Sequence, residues 1–172
     1  MKDTLRLILF GRCNRNCEGC CNKDFDIDKL PVPESFDGYK QVILTGGEPM
    51  LKPILINMIV KDIKREAPET KIILYTAKVD DYVIVEYLLN YLNGITVTLH
   101  EQDDVHDLIK LSSYLKEFGT DLNDKTLRLN IFEGIELPLE NVDEIEKMWQ
   151  IKKDIKWIKN CPLPSNEVLM RL

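Results

Sequence analysis

Leu5-Arg6-Leu7-Ile8-Leu9-Phe10, followed after Gly11 by Arg12-Cys13-Asn14-Arg15-Asn16-Cys17-Glu18-Gly19-Cys20-Cys21, is the stretch on which the reading of this chain turns. Its first part is an apolar run of strand length, and its second sets three cysteines in a C-x3-C-x2-C pattern within eight residues. Cysteines so close together do not cross-link distant parts of a fold; they read as ligands. Three thiolates converging on one point suit a soft metal centre, and three rather than four leave one iron of a 4Fe-4S cluster without a protein ligand. Such an iron is open to chemistry.

Outward from this loop, short β-branched or apolar runs alternate with longer helical segments, the pattern of repeated βα units and a mostly parallel sheet. Strands are expected near residues 5–11, 41–46, 71–77, 94–100, 127–133 and 155–160. The connection from Arg12 to Lys40, interrupted by Pro31 and Pro33, has room for at most a short helix near its end. Apolar Leu55, Met58, Ile59 and Ile63 at helical spacing predict a helix between Leu51 and Ala67, stopped by Pro68. Further helices are expected from Tyr82 to Tyr91, ended by Asn93-Gly94, from Asp103-Asp104 to Phe118, ended by Gly119, and from Glu140 to Ile151. On the fifth strand, Leu127, Leu129 and Ile131 alternate with Arg128, Asn130 and Phe132 and so occupy opposite faces. From Cys161-Pro162-Leu163-Pro164 onward the prolines predict an extended, irregular tail.

A complete barrel of eight βα units takes about 250 residues. Six units in 172 residues fall short of closure, so the expected fold is α/β, an open, partial (β/α)6-type barrel of parallel strands in one domain over residues 1–172. Hydrophobic residues make up 44% of the chain, enough for a core, and no apolar run approaches the span of a bilayer. Met1-Lys2-Asp3-Thr4 does not open a signal peptide, and a soluble, cytoplasmic protein is expected. With 29 acidic and 23 basic residues, net charge −6, and basic residues dispersed, nucleic acid and membrane are not expected partners. Five cysteines is an odd number and their spacing is wrong for a secreted scaffold, so disulfides are the least expected use of them.

C-x3-C-x2-C after a first strand, with Gly46-Gly47-Glu48-Pro49 after a second, resembles the radical S-adenosylmethionine (SAM) superfamily. The resemblance implies a 4Fe-4S cluster on Cys13, Cys17 and Cys20, with SAM bound at the open iron and cleaved reductively to a 5′-deoxyadenosyl radical. It implies an oxidoreductase-type, oxygen-sensitive chemistry fed by a reductant such as flavodoxin or ferredoxin. It sets Gly46, Gly47 and Glu48 near the SAM amino group. At the other strand ends, Thr76 with Lys78, His100 with Glu101, Asn130 with Glu133, and Asn160 with Cys161 form the rim; Arg128 would take a carboxylate and Asn130 a ribose hydroxyl. For Arg128 the alternative is a solvent-facing or structurally paired side chain, and His106 reads as simply exposed.

Many members carry an aromatic before the third cysteine to pack on adenine, where this chain has Gly19. Cys17-Glu18-Gly19-Cys20-Cys21-Asn22 resembles the small activating enzymes of anaerobic ribonucleotide reductase, which implies an activase of a partner protein of the glycyl radical type. The alternatives are a small-molecule enzyme similar to the 7-carboxy-7-deazaguanine synthases, or a non-catalytic iron-sulfur or zinc module with Cys21 or Cys161 as a fourth ligand. As free thiols, Cys21 and Cys161 would be small buried hydrophobes.

Overall fold

The strand-forming runs and the amphipathic segments between them resolve into seven strands and four α-helices among the described residues, and every strand pairing is parallel. The computed structural model describes residues 3–119, 121–158 and 161–172. Packing divides the chain into two compact units, Met1–Leu74 with Trp157–Leu172, and Tyr75–Lys156.

In the first unit β1 (Thr4–Ile8) is flanked on both sides. On one side lies β2 (Gln41–Thr45), with Leu5 opposite Val42 and Leu7 opposite Leu44, and β3 (Lys71–Thr76) follows beyond it. Leu5, Leu7, Val42, Leu44, Ile72 and Leu74 are completely buried, as parallel strands covered on a face require. Helix α1 (Pro53–Glu66) starts on the proline that suits a first turn and buries Ile56, Ile59, Val60 and Ile63. The inward stripe therefore runs one residue beyond the expected one, and Met58 is exposed.

On the other side of β1 stands β7 (Glu167–Arg171), where an irregular tail was expected. The prolines do oppose helix, but they precede the strand instead of extending through it. β1 offers an open edge, and Glu167-Val168-Leu169-Met170-Arg171 fills it. Arg6 clamps the pair: its Nε and Nη2 both lie 2.8 Å from Glu167 Oε2 in a partly buried ion pair. The connection from β1 to β2 has two single 3-10 turns, Cys21–Lys23 and Ile27–Lys29, both well before its end, in place of a late helix.

In the second unit β4 (Gly94–Leu99), β5 (Thr126–Phe132) and β6 (Gln150–Ile155) pair in that order, with α2 (Tyr82–Leu89), α3 (Asp104–Phe118) and α4 (Leu139–Met148) between them in sequence. Helix α2 ends earlier than Asn93-Gly94, and Gly94 instead opens β4. The expected last helix and last strand are both displaced: α4 stops at Met148 and the chain enters β6 at once, so the strand precedes the expected 155–160 and shares only Ile155 with it. Residues 159 and 160 lie outside the described ones. The sequence of β6, Gln150-Ile151-Lys152-Lys153-Asp154-Ile155, hid it, because an edge strand is charged and half-solvated. A bulge between Asn130 and Phe132, with Asp154 in the left-handed region at φ 58°, completes the edge.

Trp149, between α4 and β6, sets that boundary. Its indole Nε1 donates to Ser112 Oγ of α3 at 2.9 Å, and both residues are buried. β6 pairs with β5 alone and β7 with β1 alone among the described strands, so the strands do not close into a barrel. No helix among the described residues is long and apolar enough to cross a membrane. Ser112→Ala leaves the Trp149 N–H buried without an acceptor and is expected to destabilise the protein by about 1–3 kcal/mol, measured as a lowered urea midpoint at unchanged slope.

Candidate functional site

The loop that carries the cysteines leaves the C-terminal end of β1, and Gly46 leaves the same end of β2, because Ile8 and Thr45 are register partners. Backbone pairing continues past both strands. Leu9 N–H donates to the Thr45 carbonyl at 2.9 Å, Gly47 N–H to Phe10 at 2.7 Å, and Glu48 N–H to Arg12 at 3.0 Å. Two glycines make this approach possible. Gly46 has φ +131°, and a Cβ there would lie 2.6 Å from the Phe10 carbonyl oxygen; a Cβ on Gly47 would stand inside the Arg12 carbonyl. The Gly46–Glu48 turn is thus fitted to the root of the cysteine loop by its lack of side chains.

Asn22 ties the far end of the loop to the same turn, its side-chain amide donating to the Gly46 carbonyl. Lys23 Nζ donates to the Cys17 carbonyl at 2.7 Å and Cys20 N–H to the same oxygen at 3.4 Å. Glu48 is 3% exposed, and its Oε1 accepts from Met50 N–H at 2.9 Å, capping the 3-10 turn Pro49–Leu51. The Cys-x-Gly-Cys-x-Asn segment does not itself assign Asn22 a role, because its acceptor, a main-chain carbonyl, has no signature in sequence.

Cys13, Cys17 and Cys20 are thiols outside the disulfide pairing, Cys13 exposed and the other two half-buried. Burial pushes the Cys17 thiol up, the charges of Cys20 and Cys13 push it further, and Arg15 opposes them. The three sulfurs therefore feel one another, and a bound cationic centre would reverse the sign of that interaction. Among the described residues no three His, Cys, Asp or Glu side chains are gathered closely enough to hold a single metal ion. A four-iron cluster takes its thiolates at wider separations than one ion does, and three accessible thiols on one loop fit its donor set.

Cys21 and Cys161 form a disulfide, with Cα atoms 5.4 Å apart and 140 residues between them in sequence. This corrects the expectation of two unlinked thiols and of a chain without disulfides. The odd count was right; one pair plus three ligand-type thiols accounts for it. The same fold-back brings Trp157 against Gly19: a Cβ on Gly19 would lie 2.6 Å from Trp157 Cβ and 2.7 Å from its ring. The chain's later segment thus presents an aromatic, 41% exposed, beside the position where the loop itself has none.

In the second unit, Thr76 is buried and its hydroxyl is engaged locally, accepting from Lys78 N–H at 3.0 Å. Lys78 pairs with Asp80; burial opposes ionisation of Asp80, but the Lys78 ammonium outweighs it and holds the carboxyl below its usual range. His100 directly follows β4, its ring edge-on to Phe132, centroids 4.9 Å apart. The backbone N–H groups of His100 and Glu101 both donate to Asp104 Oδ2, at 2.8 and 3.0 Å, which fixes the turn into α3. Glu133 is exposed and pairs with Lys156 at 3.2 Å; His106 is exposed, as expected. Arg128 and Asn130 share the half-buried face of β5, opposite Leu127, Leu129 and Ile131, and Asn130 Nδ2 lies 3.5 Å from Thr98 Oγ1. Arg128 stands four residues before the end of β5, whereas Thr76, His100 and Asn130 are at or near their strand ends. Asn160 lies outside the described residues.

No protein-family model matches the sequence, and no curated protein matches it.

The disulfide predicts a thiol count. Unfolded without reductant and free of metal, the chain is expected to titrate three thiols, and five after reduction. Cys161→Ser removes a cross-link that, by chain entropy over a loop this long, contributes up to about 5 kcal/mol; a lowered denaturation midpoint under non-reducing conditions, erased by reductant, checks it.

Proposed function

We propose that this chain is a radical SAM enzyme built on an open, partial α/β barrel, with a 4Fe-4S cluster on Cys13, Cys17 and Cys20. The observation that carries the reading is the backbone ladder from Phe10 and Arg12 to Gly47 and Glu48, which joins the three-thiol loop to the Gly-Gly-Glu turn. Such a cluster, when bound and reduced through a flavodoxin- or ferredoxin-type donor, supplies the electron that cleaves SAM to methionine and a 5′-deoxyadenosyl radical.

The chain's own residues have separable tasks. Cys13, Cys17 and Cys20 hold the cluster as thiolates. Gly46 and Gly47 keep the turn against the loop, and Glu48, buried and capping Met50 N–H, holds the turn's shape while offering a carboxylate to the SAM amino group. Trp157 supplies, beside Gly19, the aromatic surface that the loop lacks, suited to stacking on adenine. In the second unit Thr76, His100 and Asn130 stand at or near the ends of their strands. Arg128 is set apart from them by its depth in β5.

The product reading we favour is activation of a partner protein of the glycyl radical type, on the strength of the Cys-x-Gly-Cys-x-Asn segment, whose asparagine holds Gly46. A small-molecule substrate is the second reading, favoured by the polar, cationic face of β4 to β6 taken up below.

Reconstituted without oxygen with iron and sulfide, the protein is expected to release 5′-deoxyadenosine from SAM when a strong reductant is added. Cys13→Ala, Cys17→Ala and Cys20→Ala each abolish the brown absorbance, whereas Cys161→Ser retains it. An intact cluster with no SAM binding or cleavage would make the chain a non-catalytic iron-sulfur module. Trp157→Leu is expected to weaken SAM binding roughly tenfold at unchanged iron content, read by equilibrium dialysis.

A further inference from the structure

Register in the second unit stacks polar side chains into rungs on one sheet face. Thr96 pairs with Arg128 and Arg128 with Gln150; the next rung is Thr98, Asn130 and Lys152. The opposite face of β4 and β5 is Ile95, Val97 and Leu99 against Leu127, Leu129 and Ile131, all buried. The polar rungs are a distinct face of these strands, buried at Thr96 and not solvated throughout.

Three observations separate it from the rest of the surface. Thr96 is 1% exposed and its Oγ1 has no hydrogen-bond partner. Beside it, the side chain of half-buried Arg128 makes no ion pair or hydrogen bond among the described residues, and neither does that of Lys152. Across the two rungs, Thr96–Arg128–Gln150 and Thr98–Asn130–Lys152, no acidic residue stands on this face. In a chain with 29 acidic residues to 23 basic ones that is a local inversion. Neighbouring cations are matched: Lys153 pairs with Glu146 at 3.0 Å and Lys156 with Glu133 at 3.2 Å.

An orphaned buried hydroxyl and a half-buried, unpaired guanidinium are each unfavourable alone, and one anion relieves both. A guanidinium fork takes a carboxylate or a phosphate bidentately, with the threonine hydroxyl left to donate to a remaining oxygen. Burial decreases from Thr96 through Arg128 and Asn130 to Gln150 and Lys152, which are exposed at the edge. A ligand entering from the β6 edge would seat its anionic group innermost. At about 3.3 Å per residue, Arg128 lies roughly 13 Å along β5 from Phe132, away from the C-terminal end of that strand.

We infer that the Thr96–Arg128 rung, with Lys152 beside it, binds a carboxylate or phosphate group of the substrate and not of the cofactor. The inference rests on the proposed function only for there being a second ligand; anion binding itself needs neither cluster nor SAM. The test is calorimetric titration of the full chain with inorganic phosphate and, separately, with acetate, each against sodium chloride at matched ionic strength. Saturable binding of at least one is expected, and which one responds separates a phosphate ester from a carboxylate. Arg128→Gln should weaken it roughly tenfold or more, and Thr96→Val by less, with SAM affinity of the cluster-loaded protein unchanged. If Arg128→Gln fails to fold, Arg128→Lys, which keeps the charge without the fork, should bind measurably but more weakly than the parent. Binding no stronger than chloride's, or undiminished in both Arg128 variants, overturns the inference. So does a parallel loss of SAM affinity, which would return the arginine to the cofactor. Failure of the enzymatic reading shows separately, as absent 5′-deoxyadenosine with phosphate or acetate binding intact.

Discussion

Three backbone hydrogen bonds, from Leu9, Gly47 and Glu48 N–H to the carbonyls of Thr45, Phe10 and Arg12, extend the pairing of β1 and β2 beyond the strands and seat the cysteine loop on the Gly-Gly-Glu turn. The constraint behind them is steric. Any side chain at Gly46 or Gly47 would push into the loop's carbonyls, so both positions need glycine before any ligand is considered. The proposed cluster and SAM reading inherits this constraint: the thiols and the Glu48 carboxylate keep their relation only while the glycines let two backbones touch.

The end of the chain completes what the beginning starts. β7 covers the open edge of β1, the partly buried Arg6–Glu167 pair holds it there, and the return path brings Cys161 to Cys21 and Trp157 to Gly19. Each contact crosses more than a hundred residues of sequence. A loop closed over that distance has a large entropic cost in the unfolded chain, and strand pairing, an ion pair and a covalent link meet it together. The loop of a small domain is thereby supported from two sides without an added segment.

Charge is distributed unevenly in the second unit. Lys78, Lys116, Lys153 and Lys156 each pair with a carboxylate, while Arg128 and Lys152 share rungs that hold none. The alternation of β5 separates the two environments: odd positions pack into the core and even positions build the polar face.

Sequence alone determined the α/β class, the first five strands to within one to three residues, helices α1 to α3, and the two motifs that define the candidate site. Those features are local: apolar runs, 3.6-residue spacing, breakers, and cysteines three and four apart. What it did not carry were β6 and β7, the Cys21–Cys161 link, the aromatic at Gly19, the hold of Asn22 on Gly46, and the unpartnered Thr96 beside Arg128. Edge strands such as β6 and β7 are charged and half-exposed, so hydrophobic periodicity misses them. The remaining features exist only once distant segments meet, and register, not composition, decides which side chains then share a face.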